Sequence, residues 1–144
     1  HRGLTDRGPH GEVAEYEQDR PQGSAAWDRK ITVYEQFFRM NEEQQTFTMI
    51  HEIGHALDYR PNETAANRRG GAALSSPTGQ NSFRRAVQQD GGIGKGVSTY
   101  AATASDFAEY YAEAFAMYQS QPNTLRALRP NVYTYFSTQY PSSP

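Results

Sequence analysis

Two stretches of the chain carry helical periodicity, and the rest is arranged between and around them. In the first, Phe47, Ile50, Gly54 and Leu57 recur at three- and four-residue intervals, with Met49, Ile53 and Ala56 close by. Asn41 stands before this run as a predicted N-cap, with Glu42 and Glu43 in the first turn and Gln44 at the third helical position. The pattern predicts a largely buried helix over 42–59. It stops before Arg60-Pro61, because a proline pushes the preceding residue out of helical space. Gly54 costs about 1 kcal/mol of helix propensity against alanine, so close packing against a neighbouring element is expected there.

In the second stretch Phe107, Tyr111, Ala114, Phe115 and Tyr118 mark a core stripe along a helix predicted over 103–119. Thr103 or Ser105 is its expected cap, and Asp106 suits its first turn. Glu109 and Glu113 fall one turn apart on a different face, among Ala108, Ala112 and Ala116. Two carboxylates at that spacing repel by a few tenths of a kcal/mol unless something cationic lies between them. The alanines would let another helix come close.

Weaker signals fill the remainder. Residues 1–26 are punctuated by Gly, Pro and charge and read as loops with a short extended piece near 12–16. The β-branched run 30–34, with Ile31 and Val33 on one face, predicts a strand just ahead of the first helix. Such an edge strand could pair with an extended substrate. Residues 60–82 read as a long surface connection, and 82–90 as a short helix with Phe83 and Val87 inward. The glycine-rich 91–96 resembles a phosphate loop only superficially, since Val97 follows Lys95-Gly96 and no hydrophobic strand precedes it; it reads as a flexible loop. Short helices are predicted over 122–129 and 131–140, the first opening on Pro122, and 141–144 as a flexible tail. The fold class expected is α+β, mostly helical with a small β-sheet, as one domain over 1–144.

Composition narrows the chemistry. With 144 residues the chain suffices for one ordinary core, and 10 Tyr and 7 Phe make that core aromatic. A net charge of −2 without a basic stripe argues against a nucleic-acid partner. No stretch is apolar enough to insert in a membrane, and a chain opening on His1 is expected to be a processed product or an excised domain. The absence of cysteine removes disulfides and thiolate metal sites, so any zinc must use histidine and carboxylate ligands.

Those ligands have a place in the first helix. His51-Glu52-Ile53-Gly54-His55 puts two imidazoles one turn apart on one face, able to reach a single Zn²⁺ ion. Glu52 sits about 100° round the axis, beside that point, where a carboxylate can take a proton from water. This is the H-E-x-x-H arrangement of zinc peptidases. A catalytic zinc needs a third protein ligand. A third histidine six residues on is excluded, because Asp58 and Pro61 occupy the positions that the longer motif gives to Gly and His. His1 and His10 have no partner at metal spacing. A carboxylate from the second helix remains, and Glu109 or Glu113 provides it.

The segments MIHEIGHALDY (49–59) and STYAATASDFAEYYAEAFAMYQS (98–120) resemble the catalytic domain of anthrax lethal factor and the related Pro-Pro endopeptidases. The likeness covers about 47–140. It implies a zincin-like fold with Glu109 as third zinc ligand beside His51 and His55, and Tyr100 as a loop tyrosine that stabilises the oxyanion. Glu113 and Asp58 would orient the ligand imidazoles. The function expected is that of a zinc endopeptidase with Glu52 as general base, secreted or delivered as a toxin-type domain and acting on a protein or peptide, with any inhibitor or immunity protein left open. A zinc-holding binding module without hydrolysis, and a zinc hydrolase of a non-peptide amide, are the alternatives.

Overall fold

The computed structural model describes residues 14–19, 28–60, 64–69 and 72–141. Most of the loop-rich lead-in, both of its histidines and the tail 142–144 lie outside the described residues. Helices dominate, and two small two-stranded antiparallel sheets accompany them.

The chain enters as a hairpin. Strand β1 (Ala14–Asp19) pairs antiparallel with β2 (Asp28–Val33), in a register running from Ala14 opposite Val33 to Asp19 opposite Asp28. The expected strand is therefore present but begins and ends earlier than 30–34. Of the two strands, β1 makes the main contact with the first helix. A 3-10 turn, Glu35–Arg39, then delivers the chain to helix α1, Glu42–Asp58. The Asn41 side chain accepts from the Gln44 backbone N–H at 2.9 Å, and the Gln44 side chain accepts from the Asn41 N–H at 3.1 Å, completing the capping box. Tyr59 ends the helix in extended geometry, one residue ahead of Arg60, the residue that Pro61 pushes out of helical space.

The residues after α1 are more than a surface connection. Arg68–Arg69 (β3) pairs with Ala72–Ala73 (β4), and a 3-10 turn follows at Pro77–Gly79. Ser76, Thr78 and Gly79 are buried there. Gly79 is required by contact, since a Cβ would stand 1.9 Å from the Ala73 carbonyl oxygen. Both Asp58 carboxylate oxygens accept from the Thr78 hydroxyl at 2.7–2.8 Å, and one also from its N–H at 2.9 Å. The segment is built from small and polar residues, so no apolar periodicity announced it.

Helix α2, Asn81–Gln89, ends at Asp90, whose carboxylate accepts from the Asn131 and Val132 N–H groups at 3.2 and 2.8 Å. Those amides open a later helix, so a buried acid closes one helix and caps another. The stretch expected as one helix over 103–119 is two. Helix α3 is Thr99–Ala104, and Ser105 turns left-handed at φ 52°. Asp106 then caps a new helix, α4 (Phe107–Ser120). Helices α5 (Pro122–Leu128) and α6 (Pro130–Gln139) follow, each opened by a proline.

Helix α4 is the centre of the molecule. From Tyr110 to Tyr118 every residue is buried, so the helix is covered all round rather than along one stripe. One side meets α1; others meet α3, α5 and α6, and α2 packs on α6. Phe83 of α2 lies 5.3 Å, ring to ring, from both Tyr111 and Tyr135, and Tyr111 lies 5.3 Å from Phe136. These edge-on and tilted pairs make the expected aromatic core. Helix α1 is less buried than expected: only His51, Glu52 and Gly54 are fully enclosed, and Ile53 is exposed.

Candidate metal centre

The α1–α4 crossing is set by two small residues. A Cβ on Gly54 would stand 3.0 Å from the Ala112 Cα and 3.4 Å from the Phe115 ring. The backbones therefore meet where Gly54 passes Ala112, as glycine and the flanking alanines predicted. That contact lies between His51 and His55 along α1 and between Glu109 and Glu113 along α4, so the four side chains face one another.

Glu109 reaches the site because α4 starts where it does. The Asp106 side chain accepts from the Glu109 N–H at 2.7 Å, placing Glu109 in the first turn, where the helix dipole favours a carboxylate. Its Oε1 lies 2.9 Å from His55 Nε2 and its Oε2 lies 3.2 Å from His51 Nε2. The two Nε2 atoms are themselves 3.2 Å apart. Three ligands on a tetrahedral ion with bonds of about 2.0–2.1 Å would be separated by about 3.3 Å. Glu109 Oε2 is buried with no hydrogen-bond partner, an orphaned acceptor aimed at the imidazoles. The group His51, His55 and Glu109, with its donor atoms within 4.8 Å of one another, could hold a metal ion.

Glu113 lies on the far side of His51, its Oε2 2.7 Å from Nδ1. Nδ1 donates this bond when the imidazole is neutral, leaving the Nε2 lone pair free for a metal. His51 thus sits between the two carboxylates whose spacing required a cation. Burial lowers its pKa, but the Glu109 and Glu113 carboxylates on either side outweigh that and raise it to about 9. Burial likewise works against the Glu109 carboxylate, yet the two imidazoles hold it well below its usual range.

Glu52 is buried, and its Oε1 stands 3.9 Å from His51 Nε2, beside the cluster rather than in it. Tyr100 sits on α3, not on a loop, with its ring 5.9 Å from that of His51 and more than half exposed. Partial burial and the charge of Glu109 push its pKa far up, so it remains a proton donor at any ordinary pH. Asp58 departs from expectation: its hydrogen bonds go to Thr78, so it ties the segment after α1 to that helix instead of orienting an imidazole.

One participant carried no signal in the sequence. Ser98 caps α3 by accepting from the Ala101 N–H at 3.1 Å, and its hydroxyl donates to Glu113 Oε1 at 2.8 Å. A serine before a short, weakly periodic helix reads as a cap at most, and its second bond depends on a helix crossing. Around these groups opens a cleft of about 930 Å³, lined by His51, Glu52, His55, Tyr100 and Glu109, and further out by Arg60, Arg68 and Arg84. Among the described residues no helix is long and apolar enough to cross a membrane. The chain matches no family model, no curated protein and no solved structure; its own geometry brings together two imidazoles and a carboxylate that could hold a metal ion.

Proposed function

We propose that this chain is a zinc-dependent endopeptidase domain of zincin-like fold, similar in plan to anthrax lethal factor and the Pro-Pro endopeptidases. The observation that carries this is the approach of Glu109 Oε1 and Oε2 to His55 and His51 Nε2, at 2.9 and 3.2 Å, with the Glu52 carboxylate alongside. Two neutral nitrogens and one carboxylate, with no cysteine in the chain, form a donor set suited to zinc. Three protein ligands leave room for water, which a purely structural site would not need.

When bound, zinc supplies Lewis acidity, bringing the pKa of water at the site towards ~7. The residues do the rest. Glu52, buried and adjacent, accepts the proton of the attacking water and returns it to the departing amine. Tyr100 donates a hydrogen bond to the oxygen on which charge develops. Glu113 keeps the His51 ring in the tautomer and orientation a ligand needs. The cleft is large enough for several residues of an extended peptide. In this reading the substrate is a protein or peptide, and the domain acts outside the cell that makes it, as a secreted or toxin-type effector.

The test is peptide hydrolysis by protein stripped with a chelator and then given zinc, beside the Glu52→Gln variant. Hydrolysis is expected to vanish on chelation and return with about one equivalent of zinc. Glu52→Gln should keep its zinc and lose about 10²–10⁴-fold in rate. A Glu52→Gln protein as fast as the wild type would remove the proposed base and the mechanism with it.

A further inference from the structure

Ser98 is joined to both halves of the site. Its hydroxyl donates to Glu113 Oε1 at 2.8 Å, while Glu113 Oε2 holds His51 Nδ1 at 2.7 Å. The same oxygen accepts from the Ala101 N–H, fixing the start of the helix that carries Tyr100. Gly96 makes this possible. It turns with φ 65°, and a Cβ there would stand 2.6 Å from the Ala102 nitrogen, so only glycine lets the preceding loop lie against α3 and present Ser98 to α4. Val97 and Ala101, on either side of Ser98, are buried and hold the strap down.

We propose that Ser98 is a positioning residue that couples the Tyr100 helix to the metal ligand His51 through Glu113. Among the described residues Ser98 is the donor that reaches Glu113 Oε1, and without it that oxygen no longer fixes the rotation that aims Oε2 at Nδ1. The His51 ring then loses its fixed orientation, and α3 loses its tether to α4. The inference rests on the metal-site reading above but concerns how the ligand is held, so the two can fail separately.

Three substitutions separate the two bonds Ser98 makes. Ser98→Thr keeps a hydroxyl for both. Ser98→Ala removes both. Ser98→Gly removes the donor to Glu113 but caps a helix within a few tenths of a kcal/mol of serine. Zinc dissociation constants are measured by competition with a chromophoric chelator, with circular dichroism and melting curves of the metal-free proteins as a check on folding. Zinc affinity is expected to fall about 10-fold or more in both Ser98→Ala and Ser98→Gly, and to stay near wild type in Ser98→Thr. Ser98→Gly binding zinc as tightly as wild type would overturn the proposal, and so would a loss in Ser98→Thr equal to that in Ser98→Ala. Should no variant and no wild-type preparation cleave any peptide, the enzyme reading falls while the affinity pattern still decides the role of Ser98.

Discussion

Among single residues, His51 has the most demanding position. It is flanked by Glu109 on Nε2 and Glu113 on Nδ1, at 3.2 and 2.7 Å, and cannot satisfy both carboxylates while neutral unless a cation takes the Nε2 side. Without metal a proton fills that role, which is why its pKa rises to about 9. Tyr100 differs in being about half exposed, with its ring edge-on to that of His51 and the charge of Glu109 close by. Its contribution should therefore be to the transition state and not to stability. Tyr100→Phe is expected to lower kcat about 10²–10³-fold with KM and melting temperature little changed, as removing one oxyanion donor does. Steady-state kinetics on any cleaved peptide decides this; an unchanged kcat would return Tyr100 to the cleft wall.

At the scale of elements, the site depends on how closely α1 and α4 can cross. Gly54→Ala gains about 1 kcal/mol of helix propensity, yet it sets a methyl 3.0 Å from the Ala112 Cα, which is backbone and cannot step aside. The helices must part by a few tenths of an ångström, moving His51 and His55 away from Glu109. Lower zinc affinity is the expected outcome, with a net loss of stability of about 1 kcal/mol, and Gly54→Val should be worse on both counts. Calorimetric melting with and without zinc measures both. A Gly54→Ala protein more stable than wild type with full zinc affinity would contradict a crossing set by the Gly54–Ala112 contact.

The same scale explains what could be read from residues alone. Helix α1, its capping box, its end before Arg60-Pro61 and the glycine contact were all legible, because each rests on local chemistry or strict periodicity. The break between α3 and α4 was not. Ser105 was offered only as one of two caps, no glycine or proline beside it announces its left-handed turn, and the stripe that begins at Phe107 says nothing of a separate helix ahead of it. The break shapes the candidate site, since it makes Asp106 the cap that puts Glu109 in a first turn and sets Tyr100 on a separate helix. Residues 72–79 escaped for a related reason: Thr78 and Ser76 are buried polar residues whose partners, Asp58 and the Ala73 carbonyl, come from fold and turn geometry rather than any stripe. Glu109 and Glu113 stood out as a pair, but which one faces both Nε2 atoms was settled by the crossing of two helices far apart in sequence.

For the molecule as a whole, the candidate site sits on the central helix, so protonation there, and the proposed metal when bound, should bear on global stability. His51 has its folded pKa raised from 6.5 to about 9, so in the metal-free protein its protonation contributes fully below about pH 6.5 and the contribution is lost as pH rises through 9. Glu109, with its pKa depressed below the usual 4.5, contributes above that value and loses the contribution only on strong acidification. Metal-free protein should therefore lose melting temperature between pH 6.5 and 9. Zinc-loaded protein should not, because the ligand imidazole is then neutral and zinc replaces the proton. Melting curves across that range, with chelator and with zinc, would show the two profiles separating; parallel profiles would contradict the linkage.

The convergence of His51, His55 and Glu109 on one ion is tested most directly by titrating zinc into the wild type and into Glu109→Gln. The wild type should bind one zinc per chain, and Glu109→Gln, which keeps the shape but not the charge, should bind at least about 100-fold more weakly. If Glu109→Gln takes up one zinc with wild-type affinity, the carboxylate from α4 is not a ligand, and the site built on it does not exist.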